Sequence, residues 1–233
     1  MPVTYALEWD KDGERYFETG VKRGVLYPKT LTGNEITAQN GGYAAGVVWN
    51  GLTSVSESPE GGDANDMWAD DIKYASLRAL ETFGGTIEAY TYPDEFEVCD
   101  GTASPVAGLK LGQQPRKPFG FCYRTAIGSD TDTAMEGYKL HIVYGATASP
   151  SEKTYETIND SPEGMTFSWE FDTVPVAVDG YKPVSLITVD SRTVDATKLA
   201  ALETILYGTA ASGNTSAVAA RLPLPAEVIS TLS

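Results

Sequence analysis

The sequence predicts a mainly β fold with a flanking α-helix, and three observations carry that expectation. Residues 43–92 alternate apolar and polar side chains through three strand-like runs. Phe167, Trp169 and Phe171 alternate with Thr166, Ser168, Glu170 and Asp172, the period of a strand with one packed and one wet face. Past Asp195 the period changes, because Leu199, Leu202, Ile205 and Leu206 recur three or four residues apart, as on one side of a helix.

Taken in order, residues 1–12 read as a loosely held arm, and 16–27 are rich in β-favouring residues until Pro28 stops the run. Runs at 43–55 and 72–80 flank an acidic segment, 57–71, that holds Glu57, Glu60, Asp63, Asp66, Asp70 and Asp71 and no Lys or Arg. That segment is far longer than an ordinary hairpin connection, so it is expected to be a long inter-strand loop reaching beyond its own sheet. Gly84 and Gly85 supply a turn or bulge that opens a strand over 86–92. Pro93 begins a short helix over 94–99, which Gly101 ends.

Residues 105–118 are rich in Gly, Gln and Pro and read as a connection; an aromatic strand resumes at 119–127 and an acidic turn follows at 129–137. Strands at 138–146 and 152–158 are joined through Ser149 and Pro150, and 183–190 closes the β region. Asp195 is the expected N-cap of the helix and Gly208 its stop. Residues 208–220 read as a linker, and 222–225 (LPLP) as an extended docking segment. The division expected is an arm (1–12), a β domain (13–193) and a C-terminal helix with an extended tail (194–233).

A chain of 233 residues buries a substantial core and fits one main domain. With 17 basic and 32 acidic residues the net charge is −15, which disfavours binding to phosphate backbones and anionic lipid. The first residues lack the basic start and apolar run of a secretory signal, and no apolar run approaches the roughly 20 residues that cross a bilayer. Cys99 and Cys122 have no CxxC spacing and are expected to be reduced thiols.

No catalytic signature stands out. His141 is the sole histidine and sits in an apolar strand pattern, where a packed or surface position is expected rather than a triad. Asp63, Asp66, Asp70 and Asp71, or Asp130 and Asp132, could loosely cage a hard cation, but neither set has the EF-hand order, so solvated loop charge is the reading taken. Glu88, Glu170 and Asp172 are the carboxylates a glycosidase would draw on, which leaves a carbohydrate-active or carbohydrate-binding protein as an alternative. Walker, GxGxxG and GxSxG patterns are absent.

The continuous wording of 49–52 (WNGL), 84–96 (GGTIEAYTYPDEF), 112–119 (GQQPRKPF) and 138–145 (YKLHIVYG) resembles the major tail (tail tube) proteins of long, non-contractile-tailed bacteriophages. So does 149–155 (SPSEKTY), leading through 158–162 (INDSP) into 167–170 (FSWE). The resemblance covers approximately 13–208 and implies a β-sandwich, barrel-forming subunit with a flanking helix. Such subunits form stacked hexameric rings whose bore conducts DNA, and they carry no catalytic activity and no cofactor. The implied partners are the chain itself, the tape-measure, terminator and distal-tail proteins, and double-stranded DNA in passage. The implied location is the virion tail. By the same resemblance, the segment holding Glu57, Glu60, Asp63, Asp66, Asp70 and Asp71 contacts the next ring, and Glu88, Glu170 and Asp172 are candidate lumen-facing carboxylates. A tube subunit of a DNA-free, phage-derived bacteriocin fits the same wording.

Overall fold

The computed structural model describes residues 7, 9–29, 41–79, 81–131, 136–155, 157, 164–212 and 216–233. Eight strands share one antiparallel sheet: β1 (Phe17–Pro28), β2 (Val47–Trp49), β3 (Leu52–Glu60), β6 (Thr82–Ala89), β9 (Phe119–Gly128), β10 (Gly137–Ala148), β11 (Phe167–Thr173) and β14 (Leu186–Asp190). The order is β2-β1-β9-β10-β11-β6-β3, with β14 also pairing β10. Three two-stranded ribbons complete the β structure: β4 (Ala64–Ala69) with β5 (Ile72–Arg78), β7 (Ala103–Val106) with β8 (Leu109–Leu111), and β12 (Val176–Val178) with β13 (Tyr181–Val184). The mainly β expectation holds.

Strands β2 and β3 lie at opposite ends of the sheet order yet are joined by only Asn50 and Gly51, so the sheet curls until its ends are linked at that corner, without β2 and β3 pairing. Gly51 makes the corner at φ 77°, a conformation open to glycine without steric cost. The expected continuous strand over 43–55 is therefore two strands, each paired to a different neighbour. Strand β10 divides its partners in the same spirit: Lys139 to Val143 face β14, and Ala146 to Ala148 face β11. The break falls at Gly145, φ 61°, where the ladder to β9 also slips.

Curling gives the sheet an inside and an outside. Inside lies an aromatic core of Trp49, Phe96, Phe119, Phe121, Tyr123, Trp169 and Phe171 with Leu26, Ile87 and Val143. Trp49 meets Phe96, Phe121 and Trp169 with ring centroids 4.6, 5.5 and 5.6 Å away, and donates its indole N–H to the Thr91 carbonyl at 2.9 Å. Outside, β1, β9, β10 and β14 carry a second core of Tyr27, Cys122, Leu140, Ile142, Tyr144 and Val189 under two helices. Helix α1 (Ala196–Tyr207) covers it with Leu199, Leu202 and Leu206, and helix α2 (Pro225–Leu232) with Val228. The remaining outer face, that of β11, β6 and β3, has no helix over it among the described residues.

Asp195 caps α1 as expected, accepting from the Thr197 and Lys198 amides at 2.9 and 3.1 Å. At its other end the Leu206 carbonyl, left without an intrahelical partner, accepts from the buried Tyr27 hydroxyl at 2.7 Å. The chain end departs from expectation. Instead of a linker and an extended docking segment, Thr209 and Val218 form a β-bridge, Leu222 is fully buried, and Pro225 starts α2 at a position where its missing N–H costs nothing. Leu222 packs where Gly120 leaves room, since a Cβ on Gly120 would lie 2.3 Å from Leu222 Cδ2. Tyr144 donates to the Pro223 carbonyl at 2.9 Å and fixes the same segment.

Other corrections share one cause, paired backbone in segments whose composition suggests loops. Gly84 and Gly85 lie inside β6 rather than at a turn, opposite Asp172 and Phe171. A side chain on Gly85 would stand 2.3 Å from the Ser56 carbonyl oxygen and 2.8 Å from the Phe171 ring, so the glycines permit close strand approach. The connection expected at 105–118 overlaps the β7–β8 ribbon, and the helix expected at 94–99 is a single 3-10 turn, Asp94–Phe96, with Pro93 before it. Residues 151–155 and 157 carry no strand, against the expected run at 152–158, whose other members lie outside the described residues, as does Asp132. The arm is described only at Leu7 and from Trp9 onward, where Arg15 ties Asp12 and Asp130 at 3.5 and 3.1 Å.

Candidate functional site

Residues 57–71 are not a loop. Strand β3 runs on to Glu60, paired with Thr82 of β6; Gly61 and Gly62, at φ 93° and 77°, interrupt the ladder; β4 and β5 then continue it outward. Asp70 and Asp71 form the two-residue turn at φ 50° and 60°, the left-handed geometry a tight hairpin requires and aspartate tolerates. Acidic residues there mark a solvated ribbon, because β4 is exposed throughout and β5 everywhere except Ala75. At about 3.3 Å per residue the β4–β5 ribbon extends roughly 20 Å.

The ribbon has two unlike faces. Asn65 with Leu77, Met67 with Ala75, and Ala69 with Ile72 are paired across the ladder and share one face, almost wholly apolar. Asp66, Ser76, Trp68 and Lys73 share the other, where Asp66 binds Lys73 at 2.8 Å and Ser76 at 2.7 Å. Tyr74 is the extra residue of a bulge between the Met67 and Trp68 pairs, and it breaks the period-two pattern. Ile72, Leu77 and Met67 are 62, 59 and 48% exposed, so the apolar face has no cover within the described chain. Isolated two-stranded hairpins are marginal in water, and an uncovered apolar face on one calls for a partner.

Glu57 is set apart from the other acidic residues of this segment. From β3 it reaches across the mouth of the core to β9 and β10, where the Tyr123 hydroxyl donates to its Oε1 at 2.5 Å. His141 Nδ1 lies 3.0 Å from the same oxygen, at ion-pair distance but off the direction a hydrogen bond requires. His141 stacks on Tyr123 at 4.6 Å and meets Thr125 Oγ1 through Nε2 at 3.0 Å, so it is a packed strand histidine, as expected. Contact with His141, followed by the Tyr123 hydrogen bond, holds the Glu57 carboxyl below its ordinary range against the opposing cost of burial. The cluster braces one face of the curled sheet against the other.

The uncovered outer face is built by register. Ser168, Glu88 and Ser54 form one cross-strand row, Glu170, Thr86 and Ser56 the next, and Asp172, Gly84 and Ser58 the third. Ser54 donates to Glu88 Oε2 at 2.7 Å. These nine positions on β11, β6 and β3 hold hydroxyls, carboxylates and one glycine, with no cation and no apolar side chain. Glu88, Glu170 and Asp172 thus share one face, and Glu170 and Asp172 line a groove of about 170 Å³ with Glu60. Ser54, Ser56 and Ser58 alternate in the sequence, but the acidic composition of 57–71 reads as a loop and hides that β3 continues through them.

Among the described residues no group of three or more His, Cys, Asp or Glu is placed to hold a metal ion. Cys99 and Cys122 are free and buried, and burial pushes both thiols up to about 12, so neither is a nucleophile at neutral pH. No helix among the described residues is long and apolar enough to cross a membrane. No family model and no curated protein matches the chain.

Proposed function

We propose that this chain is a structural subunit of a phage tail tube: a β-sandwich protein that forms hexameric rings, stacked into a hollow tube that conducts DNA from capsid to host cell. In this reading it has no catalytic role and no cofactor. It works in the virion tail with the tape-measure, terminator and distal-tail proteins, and DNA passes without specific binding. The observation that carries the proposal is the β4–β5 ribbon, which projects an apolar face that its own subunit does not cover.

Two further features support it. Strand β3 pairs only with β6 among the described residues, so its other edge is open along the border of the polar face. A neighbouring copy pairing there would extend that face around a ring and remove the edge as an aggregation hazard. The face itself suits a bore for DNA: carboxylates repel phosphates, hydroxyls stay wetted, and no Lys or Arg stands in its three rows to capture the backbone. Screening over about 8 Å confines the repulsion to the wall.

Negative-stain electron microscopy of the concentrated protein, intact and with residues 63–79 removed, tests the reading. Rings or tubes from the intact chain, and folded but unassembled subunits from the shortened one, are expected. Monodisperse particles from the intact chain, or normal tubes from the shortened one, would overturn it.

A further inference from the structure

We infer that the β4–β5 ribbon of one copy docks on a collar of a second copy, formed by residues 98–117, with the Asp70–Asp71 tip against Arg116 and Lys117. This inference rests on the tube reading and names the surface that receives the ribbon. The collar comprises the chain after the 3-10 turn, the β7–β8 ribbon and the non-strand segment that returns from it, held together by Thr102 N–H to Glu97 O at 2.8 Å, Gln114 N–H to Gly101 O at 2.9 Å and Lys117 N–H to Val98 O at 3.0 Å. It exposes apolar surface, Val106, Leu109 and Leu111 being 64, 50 and 46% accessible. It is therefore the counterpart of the Met67, Ile72 and Leu77 face in kind.

Charge favours this surface. In a chain of net charge −15, residues 98–117 hold Lys110, Arg116 and Lys117 against one acid, Asp100, which Lys153 binds at 2.6 Å, whereas the end of the ribbon, 66–71, holds Asp66, Asp70 and Asp71 and no cation. Within the subunit Glu97 already binds Lys110, and Asp66 binds Lys73. Arg116 and Lys117 form no ion pair with a described residue, and neither do Asp70 and Asp71 at the ribbon tip. Arg116 in addition has a buried Nε with no hydrogen-bond partner among the described residues. Opposite charges without internal partners, each beside an uncovered apolar patch, are what a contact between copies would join. Like charges elsewhere on so acidic a surface would oppose the tip.

The test is charge reversal in the full chain, read by sedimentation velocity and electron microscopy, with circular dichroism to establish that each variant is folded. Asp70→Lys with Asp71→Lys, and separately Arg116→Glu with Lys117→Glu, are each expected to abolish assembly at a concentration where the unaltered chain assembles. All four changes in one chain, or an equimolar mixture of the two double variants, are expected to restore it. Lys22→Glu with Arg23→Glu, a basic pair outside the collar, is expected to assemble normally. Normal assembly of either double variant, failure of the four-fold variant to recover, or loss confined to the Lys22 and Arg23 variant would overturn the docking. If the charge variants assemble while the 63–79 deletion does not, only the named acceptor falls. If the unaltered chain never assembles, the tube reading falls with it.

Discussion

One oxygen of Glu57 serves both Tyr123 and His141. A carboxyl held below its ordinary pKa in the folded state stabilises the fold above that ordinary value. The contribution is lost as pH falls through the lowered folded value. Glu57→Gln keeps an acceptor for Tyr123 but cannot titrate. The difference in unfolding free energy between the intact protein and this variant, from urea titrations, is therefore expected to be steady near neutrality and to shrink between about pH 5 and 3. Identical pH profiles would show that the carboxylate contributes nothing by its charge. Sequence does not show this role, since Glu57 opens an acidic segment that reads as a loop, and its partners, Tyr123 and His141, lie far along the chain on β9 and β10.

At the scale of elements, strands with long aromatic or aliphatic alternation were legible, and β9, β10 and β11 lie within two residues of their expected bounds. Helix α1 was legible because the period, the Asp195 cap and the Gly208 stop agree. Elements of small or charged residues were not. The run expected at 72–80 is β5, but β4 hides in the acidic segment expected to be a loop, and α2 hides behind a Pro-rich entry that reads as extended chain. Its seat is nonetheless part of the second core, so Leu222→Ala should cost about 2–5 kcal/mol of unfolding free energy, as deletion of a fully buried leucine does. Thermal or urea denaturation checks this, and a loss within experimental error would return the C-terminal segment to the status of a loose tail.

At the scale of the whole molecule, the sheet curls so that helices occupy one outer side and nine small polar or acidic positions the other. That separation gives the net charge of −15 a place to act. On the proposed tube reading, replacing Glu170 and Asp172 with Lys in assembled phage should slow DNA ejection without preventing tail formation, and added salt should narrow the gap as screening tightens. An unchanged ejection rate would remove these two carboxylates from the wall. The central claim is that the face of β3, β6 and β11 lines a bore completed by neighbouring copies. A cryo-electron microscopy reconstruction of the assembly formed by the purified chain tests it most directly. Ser56, Glu170 and Asp172 are expected around a central channel, with β3 paired to an adjacent subunit; a reconstruction without a channel, or with that face on the outside, would contradict the account.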